Sequence, residues 1–281
     1  MANPTSNINQ PENPLDLTEI FSTFANEWSM ENQGCAGTLF LFPHDPAQQG
    51  LEISYDFSAI YDPPIENMTT TSHSTFTFEN TSRDFTNQSI PLDLTTPISE
   101  SWELTSSVCP GGNDFFTITT PEPLAGVPSP DSIQICEHET VTHLHNYTWN
   151  FNPTIRLMPR SSTKVTFQTQ LKNVTRNFQF VYFMTGNIGV TSMNPINGNT
   201  QTYFPVTEVL QWYPSNLLTL DFELNKVTCL NKGVYKATYQ VEPQLLIQSR
   251  SLDNPTIIQE TILSLSTGTF TSVNLPNGCC E

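Results

Sequence analysis

Beyond residue 65 the chain alternates apolar and polar positions almost without interruption. Ile90, Leu92, Leu94, Ile98, Trp102 and Leu104 fall on one side of an extended chain, and Asp93, Thr95, Ser99, Ser101, Glu103 and Thr105 on the other. Val141, His143, His145, Tyr147, Trp149 and Phe151 alternate with Thr142, Leu144, Asn146, Thr148 and Asn150. The same period returns in Val165 and Phe167, in Phe178, Phe180 and Tyr182, in Leu218 to Leu224, in Tyr235 to Val241, and from Ile257 to Val273. A period of two predicts half-buried antiparallel strands with one wet face. Pro110-Gly111-Gly112-Asn113 and the cluster from Asn194 to Asn199 read as turns. No unit recurs at a fixed longer spacing, which excludes propellers and solenoids.

One stretch follows a different period. Leu17, Ile20, Phe21, Phe24 and Trp28 recur at helical spacing, with Asn13 placed to cap, Pro14 in the first turn, Asp16 near the positive end and Gly34 as the stop. The polar face of this helix is acidic, so it is expected to dock on a sheet rather than lie in a membrane. The fold class read from the pattern is mainly β, with one N-terminal amphipathic helix.

Composition narrows the function. Only 13% of the 281 residues are charged, while 62 are Ser or Thr. The net charge is −17, and no Lys or Arg precedes Arg83 although eleven acids do. A nucleic-acid partner is excluded, because phosphate backbones demand a basic face. The polar start lacks an apolar leader and no apolar run reaches 18 residues, so we expect a soluble protein without a signal peptide or transmembrane helix. No hydrolase elbow, P-loop, zincin or dinucleotide fingerprint occurs, and no enzymatic activity or cofactor is expected. His143 and His145 share a strand face but lack a third ligand at clear spacing, so no metal site is assigned. The triplets at Asn67, Asn80, Asn87, Asn146 and Asn173 match the glycosylation pattern in a chain where Asn and Thr are abundant. Six cysteines without metal or redox spacing fit an oxidising destination.

The texture of the middle third is unusual. Eighteen of the 39 residues from Thr69 to Ser107 are Ser or Thr. Strands with a hydroxyl face opposite an apolar face suit a chain that is soluble first and later lines a water-filled lumen while meeting lipid. Three pieces in order resemble the aerolysin-like β-pore-forming toxins, in particular the epsilon-toxin and mosquitocidal-toxin branch. They are the Thr-rich strand from Asn67 to Phe78, an amphipathic stretch, and Glu139 to Trp149 running into Ile155 to Phe167. The resemblance spans about residues 65 to 185, and only Pro159 stands where the family commonly pairs prolines.

The resemblance implies an elongated architecture of long twisted antiparallel strands. It divides the chain into a receptor-binding region (1–64), a central pore-forming module (65–185) and a C-terminal β region (186–281). It further implies a soluble monomer or dimer that binds a cell-surface receptor, protein or glycan, and assembles a homo-oligomer on the target membrane. Each subunit would insert one hairpin, acting from outside the cell to cytolytic or insecticidal effect. The alternative is a carbohydrate-binding or structural β-sandwich with no membrane step. The first placement of the hairpin is 98–120, inside a broader region of 90–135. Ile98, Trp102, Leu104, Val108, Phe116 and Ile118 would face lipid, and Ser99, Ser101, Thr105, Ser107, Thr117 and Thr119 the lumen, with Glu100 breaking the lipid face. The second placement turns at Leu124 to Val127, with Phe116, Ile118, Ile133 and Ile135 outward and Cys109 and Cys136 bridging the base. Arg250, alone after Lys236, is the candidate activation cleavage site. Arg156, Arg160, Lys164, Lys172 and Arg176 form a basic cluster suited to an acidic face of the neighbouring subunit.

Overall fold

The computed structural model describes residues 15–33, 37–40, 49–56, 58–110, 115–122, 130–135, 140–196, 198–254, 258–265 and 269–272. The chain enters through a short strand β1 (Leu15–Asp16) and the helix α1 (Leu17–Gln33). The helix cap is Asp16, whose Oδ1 accepts the Thr18 and Glu19 amides at 2.8 and 3.2 Å. Asn13, Pro14 and Gly34 lie outside the described residues. Leu17, Phe21 and Ala25 are buried, the stripe that the helical period required.

Strands follow: β2 (Ile65–Asn80), β3 (Leu92–Ser106), β4 (Val108–Cys109), β5 (Phe116–Thr119), β6 (Ser132–Ile135), β7 (Thr140–Phe151) and β8 (Ser161–Thr185). The chain then makes β9 (Asn187–Ile196), β10 (Asn199–Pro205), a second helix α2 (Val206–Leu210) and β11 (Lys226–Ser251). Helix α2 was not foreseen, because five residues are too few to display a helical period. Strands β8 and β11, 25 and 26 residues long, form the spine. At about 3.3 Å per residue each spans roughly 80 Å.

The ten-stranded antiparallel sheet runs Thr269–Ser272, β7, β3, β11, β8, with β2, Ile60–Tyr61 and Glu52–Tyr55 end to end along the outer edge of β8. β8 pairs with β11 from Ser161↔Ser251 to Thr185↔Lys226, so the central and C-terminal regions share one sheet. Two cores occupy opposite ends of these strands. One gathers α1, Trp102, Phe116, Tyr182 and Tyr235, and the other Ile90, Trp149, Phe151, Val165 and Phe167. An elongated, mainly β body results.

Candidate functional site

Strands β5 and β6 make a small antiparallel hairpin of their own, paired from Phe116↔Ile135 to Thr119↔Ser132. Phe116, Ile118, Ile133 and Ile135 are all under 5% exposed, whereas Thr119, Ser132 and Gln134 face solvent and Thr117 is half-buried. The apolar face is folded down onto the sheet. The Phe116 ring meets Phe180 at 5.1 Å, Tyr182 at 5.7 Å and Tyr55 at 6.4 Å between centroids. The Thr120 amide donates to the Asp131 carbonyl, so the opposed pairs alternate from a hydrogen-bonded one there. By that alternation Thr117 and Gln134 form a pair that exchanges no backbone hydrogen bonds.

The base of the hairpin is clasped by side chains of the sheet. Both backbone groups of Val108 are taken up, its amide by Asn231 Oδ1 at 2.9 Å and its carbonyl by the Tyr182 hydroxyl at 3.0 Å. All three residues are buried. Burial pushes the Tyr182 phenol well above its ordinary range, which keeps it a donor. From the other side β1 pairs in parallel with β4, and the Leu15 amide donates to the Ser107 carbonyl at 3.0 Å. Neither Tyr182 nor Asn231 was named from sequence; each reads there as one more residue of an alternating strand.

The first hairpin placement is not formed in this structure. Residues 92–103 pair with β7, from Leu92↔Phe151 to Glu103↔Thr140, and residues 99–106 pair with β11. Residues 116–119 pair with β6 and not with 98–108. The alternation itself holds: Ile98 and Trp102 are buried, Leu104 half-buried, Ser99 and Ser101 half-buried and Thr105 exposed. Ser107 departs from it and is buried, because the ladder to β11 shifts register at Lys232/Gly233 and Val108 turns inward beside it. Glu100, which spoiled the lipid face, is 1% exposed and accepts the Tyr235 hydroxyl at 2.7 Å, opposite His143. Burial holds the His143 ring below its ordinary value, against the pull of the Glu100 carboxylate. Trp102 donates its indole N–H to the Tyr61 hydroxyl at 3.2 Å. This part of β3 is a finished polar interior at the centre of a sheet.

The remaining candidates have plain positions. Cys109 Sγ lies 3.8 Å from Ser107 Oγ, while Cys136 falls outside the described residues. The basic cluster is largely engaged within the chain: Lys172 pairs with Glu66 at 2.7 Å, Arg160 with Asp253 at 2.9 Å, and Arg156 sits 3.9 Å over the Phe85 ring. Arg250 exposes its side chain, but its backbone is paired on both sides, to Ser162 and to Ile258. A protease needs an extended, unpaired backbone. Brief trypsin digestion of the folded protein is therefore expected to leave the bond after Arg250 intact by mass spectrometry; rapid cleavage there would restore the activation site. Among the described residues, no three His, Cys, Asp or Glu side chains converge as a metal site, and no helix is long and apolar enough to cross a membrane.

No family model matches the chain, and no curated protein matches its sequence. Solved structures do. The Cry23Aa1 and Cry37Aa1 binary complex superposes with a TM-score of 0.59 at 12% identity, covering 94% of this chain and 99% of that one. The Mpp75Aa1.1 beta-pore-forming protein from Brevibacillus laterosporus gives 0.60 at 13% identity, covering 93% and 98%. A non-toxic crystal protein from Bacillus thuringiensis gives 0.54 at 14% identity, covering 85% and 98%. The chain has the aerolysin-like β-pore-forming toxin fold. The likeness covers more than nine-tenths of the chain in two of the three.

Proposed function

We propose that this protein is a pore-forming toxin that binds a receptor on the target-cell surface, oligomerises there and inserts one hairpin per subunit. One observation carries the reading. The segment that connects β3 to β7, two strands already paired with each other, carries an amphipathic hairpin folded down onto the sheet. Undocking it would lengthen an existing ladder rather than build a new one. A closed barrel would then satisfy every backbone group, each of which costs several kcal/mol if left unpaired in hydrocarbon. We assign insertion to residues around 116–135 instead of 98–108, whose Glu100 is buried against Tyr235 of β11 in the sheet interior. Phe116, Ile118, Ile133 and Ile135 would exchange the core for lipid, and Thr117, Thr119, Ser132 and Gln134 would line the lumen.

The fold also occurs in the non-toxic crystal protein, which favours the second reading, a β module without a membrane step. Single cysteines at each position of 116–119 and 132–135, carrying an environment-sensitive dye, separate the two. On membranes bearing the receptor we expect blue-shifted emission at 116, 118, 133 and 135 only, together with dye release from the vesicles. Uniform emission at all eight positions, with no release, would leave the second reading standing.

A further inference from the structure

The C-terminal half of α1 and the segment around α2 line an open cavity of about 620 Å³. Its wall is aromatic and acidic. Trp28 and Phe24 each meet Phe204 edge-on, at 5.0 and 5.1 Å between centroids, which fixes three rings. Trp212 stands at the rim, 72% exposed. Glu27, Glu31 and Glu208 supply three carboxylates, and no Lys, Arg or His among the described residues lines the space.

These acids sit where the helix would be better without them. Glu27 and Glu31 are one turn apart, a like-charge spacing that weakens a helix by a few tenths of a kcal/mol. They also lie toward the negative end of α1, whose last turn carries no basic residue. Burial, with the Glu27 carboxylate beside it, raises the Tyr213 phenol above its ordinary value, so that hydroxyl stays neutral and adds no charge of its own. Local rules broken without local compensation mark sites that serve something else.

We infer that this cavity is a binding site for an organic ammonium group. The face of an aromatic ring attracts a cation, Trp most strongly, by about 0.5–2 kcal/mol per ring. The carboxylates supply the countercharge beside the rings. A neutral sugar could stack on the same rings and donate hydroxyls to a carboxylate, but three carboxylates with no cation beside them among the described residues favour a ligand that carries the countercharge. A headgroup whose phosphate enters with the ammonium would be repelled, which requires any such phosphate to remain outside the rim.

The test titrates the intact protein with tetramethylammonium chloride against sodium chloride at equal ionic strength, following tryptophan emission. We expect a saturable change that equally branched but uncharged tert-butanol does not produce. Glu27→Gln and Glu208→Gln, both on exposed side chains, should each weaken it about tenfold. Sedimentation with phosphatidylcholine vesicles then separates the sources. Retention competed by tetramethylammonium identifies a choline headgroup, and binding of tetramethylammonium without retention identifies a soluble amine; both uphold the site. Equal affinity for tert-butanol, no saturation, or Gln variants indistinguishable from the parent would each overturn it.

Discussion

A disulfide between Thr117→Cys and Gln134→Cys, in a background lacking the six native cysteines, should abolish membrane permeabilisation, and reduction should restore it. The expectation rests on register. β3 and β7 pair so that Glu103 opposes Thr140, whereas in the docked hairpin Phe116 opposes Ile135. Thirteen positions separate Glu103 from Phe116 along one arm, but only five separate Ile135 from Thr140 along the other. The two ladders are therefore eight residues out of step, and the slack is taken up by the detour through β4. A barrel strand cannot carry such slack inside hydrocarbon, where every backbone group needs a partner. Continuing the β3–β7 register moves the tip to Pro121-Glu122, where Pro at the second position suits a type I turn. It also moves Asp131 toward the interface, where a carboxylate is tolerated, with Ile133 and Ile135 following at the lipid boundary. Keeping the docked register instead leaves Asp131 opposite Thr120, inside the membrane span. The Thr117–Gln134 pair exchanges no backbone hydrogen bonds, and its Cα atoms are expected about 4.5 Å apart, within disulfide reach. An oxidised variant with full activity would mean that the hairpin inserts without slipping.

Much of this was written in the chain, and its gaps have physical causes. A two-residue period shows which side chains share a face, so the faces of β3, β5 and β7 could be read directly. It carries no information about which strand lies alongside. Phe116 and Ile118 alternate equally well whether their partner is 98–108 or 132–135, so both hairpins were consistent with the residues. What decides is a third layer, the aromatic floor of Tyr55, Phe180 and Tyr182 beneath Phe116, which is distant in sequence. Glu100 was legible as an anomaly in an apolar row, but its explanation, the Tyr235 hydroxyl, lies 135 positions away. The basic cluster has the same gap: Glu66 and Asp253, the partners of Lys172 and Arg160, are invisible from 156–176 alone. The acids of the α1 cavity showed in sequence only as the polar face of an amphipathic helix. Glu27 and Glu31 acquire another meaning when Glu208 and Trp212 are brought opposite.

Weakening the Val108 clasp should make the protein less stable and faster acting at once. Tyr182→Phe leaves the Val108 carbonyl without its donor, and Asn231→Ala leaves the Val108 amide without its acceptor, both at fully buried positions. A buried polar group stripped of its partner costs about 1–3 kcal/mol. The cost falls on the docked form alone if β4 lifts away with the hairpin, because the freed backbone of Val108 then finds water or a neighbouring strand. The undocked population should rise by about 5- to 150-fold for that range. Neither substitution changes a side chain of β5 or β6, and Tyr182→Phe keeps the ring that Phe116 meets, so the inserting segment is unaltered. Each variant should show a lower urea midpoint, and receptor-bearing vesicles should be permeabilised faster by about the same factor. Phe167→Leu, in the core at the other end of the long strands, controls for destabilisation in general. It should lower the midpoint without accelerating release. If all three variants lose stability and none gains rate, Val108 is ordinary sheet packing, and whatever restrains the hairpin must be sought in β1 and α1, the strap that pairs with β4 from the opposite side.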